Sequence, residues 1–395
     1  MTAPGLDVSR LAGVISIDLE SGAADVQGMC TYEDLVATTL PHGLILLVVP
    51  QLKTITLGGA VTGPGIESTS FRNGLPHESV LEMDVFTGAG TVVTASPMND
   101  HADLFAAFPN SYGSLGYSTR LRIELERVPD YVELTHVRFH RLEAAARAIE
   151  QIASTRRAAS VHVDAFDGTG FSPTEIYLTL AHFTHRVQRT SDYTGQQIYY
   201  RSIRQRERDV LTMHDYLWRW DTDWFWCSSA FGAQHPAVRR LWPRRWRRSG
   251  LFHKPISLDA KVGLSTRLDK ARKVTGRERV IQDIEVPVGR VAEFCTWFDA
   301  EVGMRPVWLC PLRLRGDRLW PLYPLAPRTT YVNVGFWGTV LGPTDSPVGA
   351  VNRAIEDKVT ELGGHKSLYS DAYYDRTAFE SIYGGTALAA TRPVG

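Results

Sequence analysis

The chain is poor in cysteine and carries no excess of charge of either sign, and both absences narrow its function. Its 395 residues include four cysteines, Cys30, Cys227, Cys295 and Cys310, far apart and without a C-x-x-C pair. That spacing argues against a disulfide framework or a zinc site and fits a reducing cytoplasm. The 43 lysines and arginines balance 43 aspartates and glutamates, so no net field draws in nucleic acid, and none is expected as a partner. The longest uninterrupted apolar run, Leu44–Pro50, falls far short of the roughly 20 residues that cross a bilayer. The opening MTAPGLDVSR lacks the basic-then-apolar layout of a secretory signal. Any membrane contact is therefore expected to be peripheral, at the inner face of the membrane. A Walker sequence, a Ser–His–Asp pattern, paired carboxylates and histidines at metal-ligand spacing are missing too, and no metal is expected.

What the chain does have is a glycine-rich stretch, TLGGAVTGPGIES, placed directly after the apolar run. Gly58 and Gly59 leave main-chain N–H groups open to an anion. Thr56, Thr62 and Ser68 offer hydroxyls, and Gly63 and Gly65 permit turns with positive φ. A phosphate-bearing ligand and a tight structural turn both suit such a stretch. The Rossmann fingerprint fits poorly. The segment Gly63-Pro64-Gly65-Ile66-Glu67-Ser68 keeps two glycines of G-x-G-x-x-G, has Ser68 in place of the third, and puts a proline into the turn.

The length suits two domains or one large α/β unit. Periodicity predicts a hairpin over 13–28, a helix from the Thr31 cap to Leu40, and a buried strand over LILLVVP. Strands VLEMDVFT and TVVTAS follow, then a helix over Asp100–Phe108 and the strand TRLRIELERV. Pro129 closes this block. Beyond it come strand YVELTHVRF, a helix over Arg141–Ser154, and strands SVHVDAF and EIYLTLAHF. Helices over Val291–Glu301 and Asn352–Leu362 alternate with strands PVWLCPLRLR, TYVNVGFWG and HKSLYSD. The sum is an α+β arrangement.

Residues 213–252 stand apart, holding Trp218, Trp220, Trp224, Trp226, Trp242 and Trp246 of the ten tryptophans and ending in VRRLWPRRWRRS. Rings beside guanidinium groups over 218–248 suit a peripheral membrane contact. A solvated helix with its tryptophans in the core is the plainer alternative.

Four motifs, in order, resemble the FAD-binding domain of the vanillyl-alcohol-oxidase (PCMH-type) superfamily: PQLKTITLGGAVTGPGIESTSFRNG, VLEMDVFTGAGTVV, DLFAAFPNSYGSLGY and TRLRIELE. YLWRWDTDWFWCS, PVWLCPLRLR, YVNVGFW and GGHKSLYSDAYY are similar to its delta-24 sterol reductase branch, in the actinobacterial form that reduces methylene-branched fatty acyl chains. The resemblance implies a PCMH-type domain over 1–128, lacking the family's first strand–helix–strand unit. An α+β substrate (cap) domain with a mostly antiparallel sheet would occupy 129–395, with 213–252 as an insertion. Similarity runs out near Tyr383-Gly384-Gly385, so the chain reads as shortened at both ends.

By resemblance, FAD binds non-covalently along Thr56, Leu57, Gly58, Gly59, Ala60, Val61, Thr62, Gly63, Pro64, Gly65, Ile66, Glu67 and Ser68, with Gly113 and Gly116 lining the nucleotide. NADPH is the implied reductant, an isolated C=C of a lipid the implied substrate, and a lipid methyltransferase an implied partner. An FAD-linked oxidase of an alcohol or sugar remains an alternative, as does a flavin-free remnant that binds only lipid or a partner.

Alkene reduction needs a hydride and a proton, so an acid is sought in the second block. Alternation puts Trp308, Cys310 and Leu312 on one face of their strand, opposite Leu309, Pro311 and Arg313. Cys310 is a candidate proton donor or a buried hydrophobe. Trp308 is a candidate substrate wall. Arg313 suits a phosphate or a surface ion pair. In HKSLYSD, Lys366 and Tyr369 are candidate acids on opposite faces. His77 reads as a flavin neighbour or a satisfied loop histidine.

Overall fold

The computed structural model describes residues 7–186, 189–251, 277–341 and 347–385. The closing TALAATRPVG, beyond the point where the resemblance runs out, lies outside them. Strands β1 (Val14–Asp18) and β2 (Ala23–Gln27) form the expected hairpin. With β3 (Leu44–Leu46), β4 (Val80–Phe86), β5 (Val92–Ala95) and β6 (Tyr117–Arg127) they build an antiparallel sheet. Its order is β1-β2-β6-β4-β5, with β3 also on β6. The helix Tyr32–Thr39 starts where Thr31 Oγ1 accepts the Asp34 N–H at 3.2 Å, satisfying one of the donors a helix start leaves open. LILLVVP yields less strand than predicted. After Leu46 the chain leaves β6, and the Leu47 carbonyl instead accepts from Thr69 Oγ1 at 2.8 Å and Asn73 Nδ2 at 2.7 Å.

The second sheet is larger. It comprises β7 (Tyr131–Phe139), β10 (Ala165–Ser172), β11 (Glu175–Thr184), β12 (Arg208–Thr212), β13 (Arg277–Pro287), β14 (Val307–Leu312), β15 (Tyr331–Leu341) and β16 (His365–Lys366). A small hairpin, β8 (Arg157–Ala158) with β9 (Val161–His162), interrupts the strand predicted over SVHVDAF. The eight strands run antiparallel in the order β12-β7-β11-β10-β14-β15-β13-β16. The protein is thus α+β. HKSLYSD gives only two residues of strand; Ser367 N–H still reaches the Asp283 carbonyl at 2.9 Å before the chain leaves as a loop.

The two faces of this sheet differ in chemistry. On the outer face Ile176, Leu178, Ile284, Leu309, Val334 and Phe336 pack under the helices Leu142–Thr155, Val291–Glu301 and Ala350–Glu361. The first of these helices buries Leu142, Ala145, Ile149, Ile152 and Ala153, an apolar stripe at helical spacing. The inner face joins the first sheet through a shared core that includes Leu46, Leu57, Trp308, Leu312 and Tyr331. Polar groups also sit on that inner face. Register places Cys310, Asn333, Glu285 and His365 directly opposite one another across β14, β15, β13 and β16. His136, Thr179 and Asp167 continue such a row across β7, β11 and β10. All seven are buried. Polar groups out of water cost free energy unless bonded, so this face is where chemistry is to be sought.

Candidate active site

The glycine stretch does not form the open anion nest expected of it. Leu57–Thr62 is a short helix capped by Thr56. The N–H groups of Leu57, Gly58, Gly59 and Ala60 already donate to Cys30 O, Gly28 O, Thr56 Oγ1 and Thr56 O. Thr62 Oγ1 donates to Gly58 O at 2.9 Å. Gly63 has φ −132°, and Gly65 is not among the positive-φ glycines either. The glycines are explained by packing. A Cβ on Gly58 meets Ser118 Oγ at 2.6 Å and Gly28 O at 2.8 Å, one on Gly65 meets Pro50 Cγ at 2.7 Å, and one on Gly63 meets the Tyr112 ring at 3.1 Å. Gly58→Ala is therefore expected to lower stability by about 1–3 kcal/mol through overpacking, read as a fall in the urea midpoint. An unchanged midpoint would mean that the Gly28–Ser118 contact yields freely. Gly113, at φ +80°, has open space where a side chain would point, whereas Gly116, at φ +131°, is closed off by Phe86 O.

Glu67 and Ser68 belong to a buried brace instead. Arg219, fully enclosed, donates to Glu67 Oε1 at 3.3 Å and Asp167 Oδ2 at 3.1 Å, and lies over the Tyr216 ring at 4.1 Å. The indole N–H groups of Trp220 and Trp308 both donate to Asp167 Oδ2 at 3.0 Å. Gln51 Nε2 donates to Glu67 Oε2 at 2.6 Å, and Ser68 Oγ meets Tyr216 Oη at 2.8 Å. Burial pushes the Glu67 carboxyl up while Arg219 pulls it down. Trp308, expected as a substrate wall, is thus held in the brace. Arg313 neither faces a cleft nor makes the surface ion pair: its Nη1 donates to Ala153 O at 3.2 Å, at the end of a helix.

The candidate acids separate cleanly. Lys366 lies on the helix side, fully buried, with Nζ 3.1 Å from Glu356 Oε1 and 2.6 Å from Asp371 O. Burial lowers its pKa against the pull of Glu356. It does not face the inner seam. Cys310 does face it but is completely covered, and burial pushes its thiol well above the usual range. Tyr369 is different. Its hydroxyl donates to Asp283 Oδ2 at 2.8 Å and accepts from Trp337 Nε1 at 2.9 Å, while Asn333 Nδ2 holds the other Asp283 oxygen at 2.8 Å. Burial raises both the Asp283 carboxyl and the Tyr369 phenol. Yet Tyr369 as a residue keeps 46% of its surface exposed. A ring crowded by protein and still open to solvent lines a cleft.

Tyr112 stands close by. It is 42% exposed, its phenol is also raised by burial, it senses Glu285 and Asp283, and it meets the Leu368 backbone. Beside this cleft lie buried polar atoms without hydrogen-bond partners, both His77 nitrogens, Asn110 Oδ1 and Ser111 Oγ, while Trp320 meets Glu78 and Tyr323 meets Ser367. His77 stands edge-on to Trp320 with centroids 4.5 Å apart, and Tyr323 edge-on to His365 at 5.1 Å. Burial drives His77 and His365 down to about 3, so both imidazoles are neutral, and it raises the Glu285 carboxyl, 3.5 Å from His365, well above its usual range. Aromatic walls with unpaired donors and acceptors fit the polar edge of a flavin ring. The satisfied amides of the glycine stretch do not fit its diphosphate.

Sequence reasoning missed Asp283, Glu285, Asn333, Trp337, Asp167 and Arg219. The available signal was the second half of RERVIQDIEVP, where Asp283 and Glu285 alternate with Ile284 and Val286. Among the described residues no group of His, Cys, Asp and Glu is placed to hold a metal, and no helix is long and apolar enough to cross a membrane.

Residues 5–96 match the FAD binding domain family. The chain is 24% identical to the Delta(24)-sterol reductase of Arabidopsis thaliana over 96% of its own length and 72% of that protein. It is likewise 24% identical to the one of Pisum sativum, over 78% of its own length, and spans 56% of that relative. A shorter match, 33% identical over 173 residues, joins 42% of the chain to a third of cytokinin dehydrogenase 7 of Oryza sativa subsp. japonica. The chain therefore matches an FAD binding domain over residues 5–96 and is similar, along nearly all of its length, to delta(24)-sterol reductases.

Proposed function

We propose that the protein is an FAD-dependent reductase of an isolated C=C bond in a lipid, with a methylene-branched fatty acyl chain as substrate ahead of a sterol side chain and NADPH as reductant. The observation that carries this reading is the Tyr369 hydroxyl, held by Asp283 and Trp337 on a residue still open to solvent. His77, Asn110, Ser111, Tyr112, Trp320 and Tyr323 are the residues that would hold the ring of FAD. Bound and reduced, FAD supplies the hydride that no side chain can.

The chain's own part is the proton. Burial favours a protonated Asp283. In that state its O–H donates to the phenolic oxygen, and the Tyr369 proton is free to point into the cleft. Trp337 Nε1 fixes the ring and stabilises the oxygen as its proton leaves. The neutral His77 and His365 add no positive charge that would oppose protonation of an alkene. Tyr112 and Tyr369, both aromatic and partly exposed, are the rings available to a cationic carbon.

The experiment is anaerobic incubation of FAD-loaded protein with NADPH and a methylene-branched fatty acyl lipid, with the product read by mass spectrometry. A product two hydrogens heavier is expected. Unchanged lipid, together with hydrogen peroxide made from an alcohol or sugar in air, would replace this reading by the oxidase.

A further inference from the structure

The tryptophan- and arginine-rich segment divides into two parts. Trp218, Trp220 and Trp226 are core residues, packed with Phe225 and Trp337. Arg239 is buried on Asp223 and on the carbonyls of Gly195, Tyr193 and Gln197, and Arg247 on those of Gly195 and Trp242. These contacts anchor the short helix Pro236–Leu241 and the turn Arg244–Trp246 from beneath. What the anchored platform turns outward is apolar and basic. Leu241 is 85% exposed, Trp246 47% and Val238 38%, and Arg240, Arg244 and Arg245 stand exposed among them. Arg245 lies over the Trp246 ring at 5.7 Å, and Trp242 Nε1 donates to Trp246 O at 3.2 Å, so the rings and cations form one patch. From Gly232 to Ser249 the sequence holds no Asp or Glu. Among the described residues, Asp192 is the acidic side chain these three arginines meet, through an exposed pair with Arg244 at 3.0 Å.

We propose that this patch docks the protein on an anionic lipid surface, with Trp246 and Leu241 at headgroup depth and Arg240, Arg244 and Arg245 on lipid phosphates. Exposed large apolar side chains cost solubility unless something covers them. Guanidinium groups ringing a tryptophan suit a surface that is oily below and negative above. A protein partner with an acidic apolar face would need a matching shape; a lipid surface needs only the charge and the depth. The proposal stands independently of the reductase reading.

Cosedimentation of the whole chain with vesicles tests it. The protein is expected to pellet with vesicles of phosphatidylglycerol and phosphatidylcholine and to stay in solution with phosphatidylcholine alone. Each arginine near an anionic surface strengthens binding about fivefold, so Arg240→Ser with Arg245→Ser is expected to weaken it about twentyfold. Leu241→Asp with Trp246→Ser is expected to abolish it. All four side chains are exposed, so an unchanged melting temperature serves as the folding control. Wild-type protein that stays in solution with anionic vesicles would overturn the proposal, as would variants that pellet like wild type. So would a dimer in gel filtration that Leu241→Asp with Trp246→Ser separates, which would assign the patch to a second copy of the chain. Tighter retention by duplex DNA than by vesicles would do the same in favour of nucleic acid.

Discussion

Arg219→Ala is expected to remove about 3–5 kcal/mol of stability, because it leaves two carboxylates buried without their cation. Marginal proteins hold roughly 5–15 kcal/mol in total, so much of the variant should be unfolded or insoluble. The brace explains the size of the effect. One guanidinium serves Glu67, from the glycine stretch, and Asp167, from β10, and it also donates to the Tyr216 carbonyl at 2.9 Å. Asp167 in turn takes the N–H of Trp220 and Trp308. Arg219→Lys keeps the charge but not the fork, and is expected to fall between wild type and alanine. Adding Glu67→Gln and Asp167→Asn to Arg219→Met should restore most of the loss, since the unpaired charges are then gone. Urea midpoints of these variants are the measurement. A midpoint for Arg219→Ala equal to wild type would mean that the brace carries no net stability.

Tyr369→Phe is expected to lower the rate of lipid reduction by about 10²–10⁴, the usual contribution of a positioned acid. The half-reaction with NADPH should stay as in wild type, since it requires no proton from this side chain. Asp283→Asn separates holding from supplying: it can still bond the phenol but cannot pass on a proton. The sign of the pH dependence follows from the shift. The Asp283 carboxyl is raised by burial, so its protonated form persists below the raised value and is lost as pH rises through it. Wild-type activity should therefore decline on the alkaline side, with the limb absent from Asp283→Asn. An identical pH profile in the two proteins would remove Asp283 from the mechanism. Tyr369→Phe with wild-type turnover would remove the acid altogether.

Much of this architecture was legible because patterning and burial agree. The helix over Leu142–Thr155 carries its apolar residues at helical spacing and packs them on the sheet, and the strands β6 and β7 alternate as they bury. Tyr369 and Lys366 were readable as candidates on opposite faces, and opposite sides of the sheet is where they lie. The glycine stretch misled for a physical reason. Small residues serve equally to admit a phosphate and to let Gly28, Ser118 and Pro50 approach the backbone, and periodicity cannot tell these apart. Asp283 and Glu285 escaped because an inner sheet face with buried carboxylates looks like an ordinary half-exposed strand. Arg219 escaped because an arginine among tryptophans reads as surface. Only the fold brings it to two carboxylates, 152 and 52 residues away in sequence.

The whole account depends on the cleft between Tyr112 and Tyr369 being a place where electrons pass from flavin to a carbon–carbon double bond. Anaerobic single-turnover mixing addresses that directly: FAD-loaded protein is reduced, then mixed with a methylene-branched acyl lipid while the oxidised-flavin absorbance is followed. The absorbance is expected to return on mixing with lipid in the absence of oxygen. Should it return only when oxygen is admitted, with the lipid recovered intact, the protein does not reduce that bond.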